Sequence, residues 1–289
     1  MTVLAQGEEE YPFMYGIGDI YITLLSEGQQ QGNVNILTGV TESVLKQYAP
    51  EGTFPNAINS FLIETSENTI LIDAGLGQKL FAHLEVCEKK PEDINVVLLT
   101  HMHGDHIGGL LQEGKKSFPN AKLYISQTEH DYWMSDEAMR NVSENRRAGF
   151  MQAREVINNY KDNLYLFVPG EIDGEMSEIL PGIRGVAAYG HTPGHTAYLL
   201  ESDGYQFLVW GDLTHAMPLQ IPSPQVATTY DLDSSKAIES RQRLLKYVSE
   251  HRIPVGGMHI EFPGMATIRG NVSDGYKYTL TCTCEGVFR

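Results

Sequence analysis

A layered α/β sandwich is the fold class that this 289-residue sequence predicts. Two observations carry it: apolar runs of strand length, and helix-like stretches of mixed polarity that separate them. A third refines it, because several runs are apolar without alternation, which means that both faces of those strands are covered.

In chain order, SFLIE (60–64), TILIDAG (69–75), VVLLT (96–100), KLYIS (122–126), AYLLES (197–202) and YQFLVWGD (205–212) read as strands broken by Gly, Asn and Pro. IPVGGMH (253–259) and YKYTLT (276–281) read the same way. Residues 128–160, with their mixed charges, read as mostly helical. SSKAIESRQRLLKYVSEH (234–251) reads as an amphipathic helix with Ile238, Leu245 and Val248 on one stripe. Length alone allows one large domain or two small ones. No linker, low-complexity tract or repeat interrupts the chain, so a single domain over 1–289 is expected, with 1–15 as a flexible N-terminal segment.

Composition narrows the partners. A formal net charge of -16 repels phosphate backbones, and no basic patch offsets it, so no nucleic-acid partner is expected. No apolar run approaches the roughly 20 residues of a membrane span, and no membrane partner is expected either. Val3-Leu4-Ala5 before Gln6 resembles the end of a signal peptide, but no basic region or full apolar stretch precedes it. The compartment is therefore open: cytoplasmic as the chain stands, periplasmic or secreted if a signal peptide precedes it. Cys87, Cys282 and Cys284 form no even framework, stand apart from the histidines, and read as ordinary thiols.

The chemistry concentrates in THMHGDHIGG (100–109), at the end of an apolar strand, where α/β folds place their sites. Along an extended backbone His101 and His103 project to the same side and reach one cation. Gly104 is expected to allow a sharp turn. Asp105 and His106 then open a helical turn, IGGLLQ, and point at a second cation position. A lone histidine is usually a hydrogen-bonded structural residue, and an Asp after Gly is usually turn chemistry. Four such residues at these offsets favour metal binding. Further donors stand at three other strand ends: His191 and His195 in GHTPGH, Asp212 in VWGDL and His259 in GGMH.

THMHGDH, GHTPGH, GDL and a late strand-terminal His resemble the metallo-β-lactamase superfamily, with Asp73 of LIDAG as its upstream aspartate. The likeness runs from about residue 55 to the end. Within the superfamily, GHTPGHTAYLLESDGYQFLVWGDL, IPSPQVATTYDLDSSKAIESRQRLL and MHIEFPGMATIRG are most similar to methyl parathion hydrolase and its relatives. The resemblance implies a four-layer αββα sandwich and a dinuclear metal centre. It places His101, His103 and His195 on one cation, Asp105, His106 and His259 on the other, and Asp212 between them. His191 would orient a ligand or fix its turn. Asp73 would hydrogen-bond beneath the histidine loop, or simply close a local turn.

Two cations roughly 3.5–4 Å apart share and acidify a water, polarise a carbonyl or phosphoryl oxygen and make a side-chain nucleophile unnecessary. Asp105 is expected to orient that hydroxide. Imidazole and carboxylate donors suit Zn, Mn, Fe, Co or Ni, and the resemblance implies zinc. Superfamily nucleases, flavin-linked di-iron members and glyoxalase II types carry features that are missing here. Hydrolysis of small, largely uncharged esters is expected: phosphotriesters, aryl esters or lactones. Opening of homoserine lactones or β-lactams at the same centre is the alternative, and a non-catalytic metal-bound signal-response protein is the alternative of another class. The resemblance further implies an aromatic pocket, matched by Trp133 and Phe150, and a homodimer. His215 stands where that family tends to be apolar, so a more polar pocket is expected. The loop from Ala216 to Pro224 is expected to cover it.

Overall fold

The computed structural model describes residues 13–281. Cys282, Cys284 and most of the expected N-terminal segment lie outside these residues. Met14 and Tyr15 do not extend that segment, because they begin a strand, Met14–Ile17, that pairs with Ile20–Asn33.

Two seven-stranded sheets form the frame. The first runs, in spatial order, Met14–Ile17, Ile20–Asn33, Thr53–Glu64, Thr69–Ile72, Val96–Leu98, Lys122–Ser126 and Leu164–Phe167. The second runs Ser177–Leu180, Ile183–Ala187, Thr196–Ser202, Tyr205–Val209, Val255–Gly256, Met265–Asn271 and Gly275–Leu280. Alternation along each strand then builds three apolar layers. Phe61, Ile63, Ile70, Ile72 and Leu98 of the first sheet pack against Tyr198, Leu200, Phe207 and Val209 of the second. Leu62, Leu71, Val97 and Leu123 face outward under the helices Leu80–Val86, Gln127–Met134 and Glu144–Tyr160. Leu199, Leu208 and Val255 face the helix Ser234–His251. The order is helix, sheet, sheet, helix, as the sequence resemblance implied. Truncating Leu71 to Ala would leave a cavity against the outer helices and cost about 2–5 kcal/mol.

Where the sequence reading falls short, polarity or a turn is the cause. Ile20–Asn33 was not read as a strand, because its second half, SEGQQQGN, carries no apolar pattern; its register shifts between Ser26 and Gly28 as it pairs along Thr53–Glu64. That partner begins seven residues before the expected SFLIE run. IPVGGMH keeps only Val255–Gly256 as strand. The turn IGGLLQ is not one helix: Gly104–Ile107 is helical, Gly108–Leu110 is a 3-10 turn and Leu111–Gln112 is extended.

The long helix occupies Ser234–His251 as expected, but its buried stripe runs through Ala237, Arg241, Leu244, Leu245 and Val248, leaving Ile238 half-buried. Arg241 is a buried cation that donates to three backbone carbonyls, those of Leu213 (2.7 Å), Pro224 (2.9 Å) and Val226 (2.7 Å). This fastens the segment after Asp212 onto the helix.

Candidate metal centre

All the expected donors lie at one end of the sandwich, on the connections that leave its strands. The first connection is braced from below. Asp73, at a left-handed φ of 56°, accepts from the Thr100 N–H (2.8 Å) and the Thr100 hydroxyl (2.6 Å), and its second oxygen meets His106 Nδ1 at 2.6 Å. The resemblance placed Asp73 beneath this loop, and the structure puts it there with a direct hold on His106. Burial pushes the Asp73 carboxyl above its ordinary value, and the His106 and Thr100 contacts pull it back.

Gly104 does not serve the expected purpose. It is the first residue of the short helix and has an ordinary helical backbone; an added Cβ would come within 3.1 Å of Gln152 Oε1. That neighbour is the end of a flexible side chain, so neither turn conformation nor a fixed obstacle requires glycine here.

Three imidazole nitrogens meet at one point. His103 Nδ1 lies 2.9 Å from His101 Nε2 and 2.9 Å from His191 Nε2. His191 Nδ1 is held by Asp231 at 3.1 Å, and His101 Nδ1 by the Thr100 hydroxyl at 3.1 Å, so as neutral rings both present bare Nε2 lone pairs to His103. Converging lone pairs call for a cation. Asp212 completes this group of donors.

A second group joins Asp105, His106 and His259. His259 Nδ1 donates to the Ala57 carbonyl (2.8 Å), which turns its Nε2 toward Asp212 (3.1 Å) and Asp105 (3.6 Å). Asp212 lies between the groups: one oxygen is 3.2 Å from His106 Nε2, the other 3.3 Å from His191 Nε2 and 3.1 Å from His259 Nε2. His106 Nε2 and Asp212 Oδ1 are buried without a hydrogen-bond partner. Burial opposes charge on every ring, yet the carboxylates outweigh it for three of them. They hold His106 well above its ordinary value, Asp212 and Asp231 raise His191 to about 9, and His259 is also raised. Asp212 itself is held well below the usual carboxylate range: burial opposes this, and His106, His259 and His215 prevail. The centre demands positive charge, and its bare nitrogens and orphaned oxygen fit divalent cations.

The expected roles of His191 and His195 are exchanged. His195 is fully buried; its Nδ1 donates to the Ala188 carbonyl (2.8 Å) and its Nε2 accepts from the Asp212 N–H (2.9 Å). Both nitrogens are used, and burial together with His191 lowers it to about 3. His195 therefore braces Asp212, while His191 stands among the donors.

His103, Asp105, His191, Asp212 and His259 line a cavity of about 570 Å3. Trp133 and Phe150 line it and pack together with ring centroids 4.7 Å apart, and Trp133 meets His103 edge-on at 5.8 Å. His215 also lines it; its Nε2 is 3.1 Å from Asp212 and its ring stacks on His259. Burial lowers His215 to about 4, so it is a neutral ring. The loop from Ala216 to Pro224 is no lid. Met217–Gln220 is a helical turn with Ala216, Leu219 and Ile221 buried, and none of this segment lines the cavity. Its polar wall comes instead from Gln30, Gln31 and Asn56, which the sequence did not mark because they lie on strands whose polarity hid them. Asp231 was also missed, one acidic residue in an ordinary turn sequence.

Residues 53–251 match the Metallo-beta-lactamase superfamily. The chain is 49% identical over 53 residues to the exodeoxyribonuclease WalJ of Streptococcus pneumoniae, a stretch that covers 18% of this chain and spans only 20% of that relative. Among solved structures, it is similar to the hydrolase AbOPH of the beta lactamase superfamily, at a TM-score of 0.85 and 25% identity over 95% of this chain and 99% of that one. It shares its fold with AidC, a dizinc quorum-quenching lactonase in complex with a product, at a TM-score of 0.81 and 23% identity over 94% of this chain and 98% of that one. Since the superfamily match takes in Asp73, the 100–106 loop, His191 and Asp212, the chain belongs to the metallo-β-lactamase superfamily.

Proposed function

We propose that the chain is a dinuclear metal-dependent hydrolase of small, largely uncharged esters, taking phosphotriesters, aryl esters or lactones. The observation that carries this reading is the convergence of His101, His103, His191 and Asp212 beside Asp105, His106 and His259, with His103, Asp105, His191, Asp212 and His259 lining one cavity. In this reading the first set holds one cation, the second set the other, and Asp212 serves both. Bound divalent cations, zinc by the family's habit, supply Lewis acidity and acidify water toward neutrality.

The chain's own groups do the rest. No Ser, Thr or Cys is among the described residues that line the cavity, so the attacking oxygen comes from water. Asp105 is only partly exposed, and although burial opposes it, His106 and His259 hold its carboxyl below the ordinary value. It is an anion that accepts a hydrogen bond from that water and fixes its direction. Trp133 and Phe150 give an apolar wall to an aryl or alkyl leaving group, which is the feature implied by the likeness to methyl parathion hydrolase. Neutral His215 and the amides of Gln30 and Asn56 make the opposite side polar.

Elemental analysis of the purified protein, run alongside hydrolysis of a nitrophenyl ester, a lactone and a phosphotriester, tests the reading. About two divalent cations per chain and metal-dependent turnover of at least one substrate are expected. Absence of bound metal after loading with divalent cations, or turnover untouched by chelation, overturns it.

A further inference from the structure

We propose that Glu129 is a positioning residue for the metal centre: its one carboxylate ties the loop of His101 and His103 to the loop of His191 and sets Trp133 against both. The inference rests on the reading above that a cation sits among these histidines.

Glu129 lies in the helix Gln127–Met134 and is completely buried. Oε1 accepts from the Met102 N–H (3.1 Å) and from Trp133 Nε1–H (2.6 Å). Oε2 accepts from the Thr192 hydroxyl (2.7 Å) and the Gly194 N–H (3.0 Å). Met102 stands between His101 and His103, and Thr192 directly follows His191. Three of the four donors are N–H groups that cannot accept, so each needs an oxygen opposite it and none tolerates an amide nitrogen in its place. Burial pushes the carboxyl up, and the bonds from Thr192, Trp133, Met102 and Gly194 pull it back.

The His191 loop comes close to the start of this helix. A Cβ at Gly194 would run into the Glu129 backbone nitrogen. Ser126, which caps the same helix, donates to the Gly194 carbonyl (2.7 Å) while accepting from the Glu129 N–H (3.2 Å). The bond to the indole also fixes how Trp133 stands edge-on to His103. One side chain thus orders histidine-bearing segments 27 and 63 residues away in the chain, together with the cavity wall. The donors it sets are His101, His103 and His191. Its four bonds go to Met102, Trp133, Thr192 and Gly194, and none of these residues directly adjoins His106 or His259.

The asymmetry gives the test. Glu129→Gln keeps the size but turns an N–H2 toward N–H donors. Calorimetric titration with Zn2+ is expected to show the cation at His101, His103 and His191 weakened by roughly 10- to 100-fold, and the other changed by less than about threefold. The step that disappears in His191→Ala identifies which cation is which. The KM for a nitrophenyl ester is also expected to rise, because Trp133 loses its tether. Thr192→Val removes a single bond, is expected to shift the same cation by a smaller factor, and serves if Glu129→Gln does not fold. If both variants bind both cations as wild type does, or weaken both equally, the inference falls and the hydrolase reading stands. If the wild type binds no Zn2+, both fall together.

Discussion

The two halves of the metal centre are built in opposite ways. His101, His103, Asp105 and His106 come from one six-residue loop, and a single carboxylate, Asp73, holds both the start of that loop through Thr100 and its end through His106. The other donors come from three separate connections, and each has its own brace: Asp231 for His191, His195 for Asp212 and the Ala57 carbonyl for His259. Asp73 thus holds both ends of the local cluster, whereas each assembled donor has a brace of its own. Damage at Asp73 should therefore spread across the first half, while damage to the brace of an assembled donor stays confined.

The contrast breaks most sharply at Asp212, the residue proposed to serve both cations. Asp212→Ala is expected to lower metal content at both positions and to reduce turnover by more than roughly 100-fold, beyond what loss of a supporting contact brings. Full activity and metal content in that variant would remove the proposed mechanism. Asp73→Ala follows, with a loss of roughly 10- to 100-fold in metal affinity. Because His106 and the loop start loosen together, both cations should be affected, and a defect limited to one would show that the shared brace is not shared.

Asp231→Ala sharpens the other side. Besides the Thr228 N–H (2.9 Å) it frees His191 alone among the donors, so calorimetry should show one weakened cation, by roughly 10-fold, and an unchanged second one. The Asp231 carboxyl lies at about 2: burial opposes its ionisation, and the His191 bond prevails, so the brace is an anion at neutral pH. Trp133→Ala should leave both cations bound and raise KM several-fold for aryl substrates by removing part of the apolar contact area, on the order of 1 kcal/mol of binding. An unchanged KM would mean that the aromatic wall does not meet the substrate. Arg241→Met is the mildest at the site and acts through stability. The Leu213 and Pro224 carbonyls lose this donor and the Val226 carbonyl keeps only Gln220 (3.1 Å), at a cost of about 1–3 kcal/mol, read as a lower midpoint in urea with metal content retained.

The same contrast explains what was legible. The 100–106 donors are readable because a strand end followed by six residues leaves little freedom in where the side chains go. GHTPGH is not readable in that way. His191 and His195 flank a turn, and a spacing of four residues does not say which ring faces the centre and which faces back into the protein. The resemblance assigned His195 to the metal, and the folded turn sends its two nitrogens to the Ala188 carbonyl and the Asp212 N–H instead. Glu129 was unreadable for a similar reason: its meaning lies in partners far along the chain, while its neighbours are an ordinary charged helix.

From the sequence alone came the layered architecture, the strands whose apolar runs are covered on both faces, the long helix at 234–251 and the presence of a histidine and aspartate centre. These follow from periodicity and from residue chemistry, which are local properties. Tertiary structure alone decided which imidazole nitrogens converge, which are spent on bracing, and which polar strands wall the cavity. Those outcomes depend on how far-apart segments approach and on where each ring's second nitrogen finds its partner, and no local pattern carries that information.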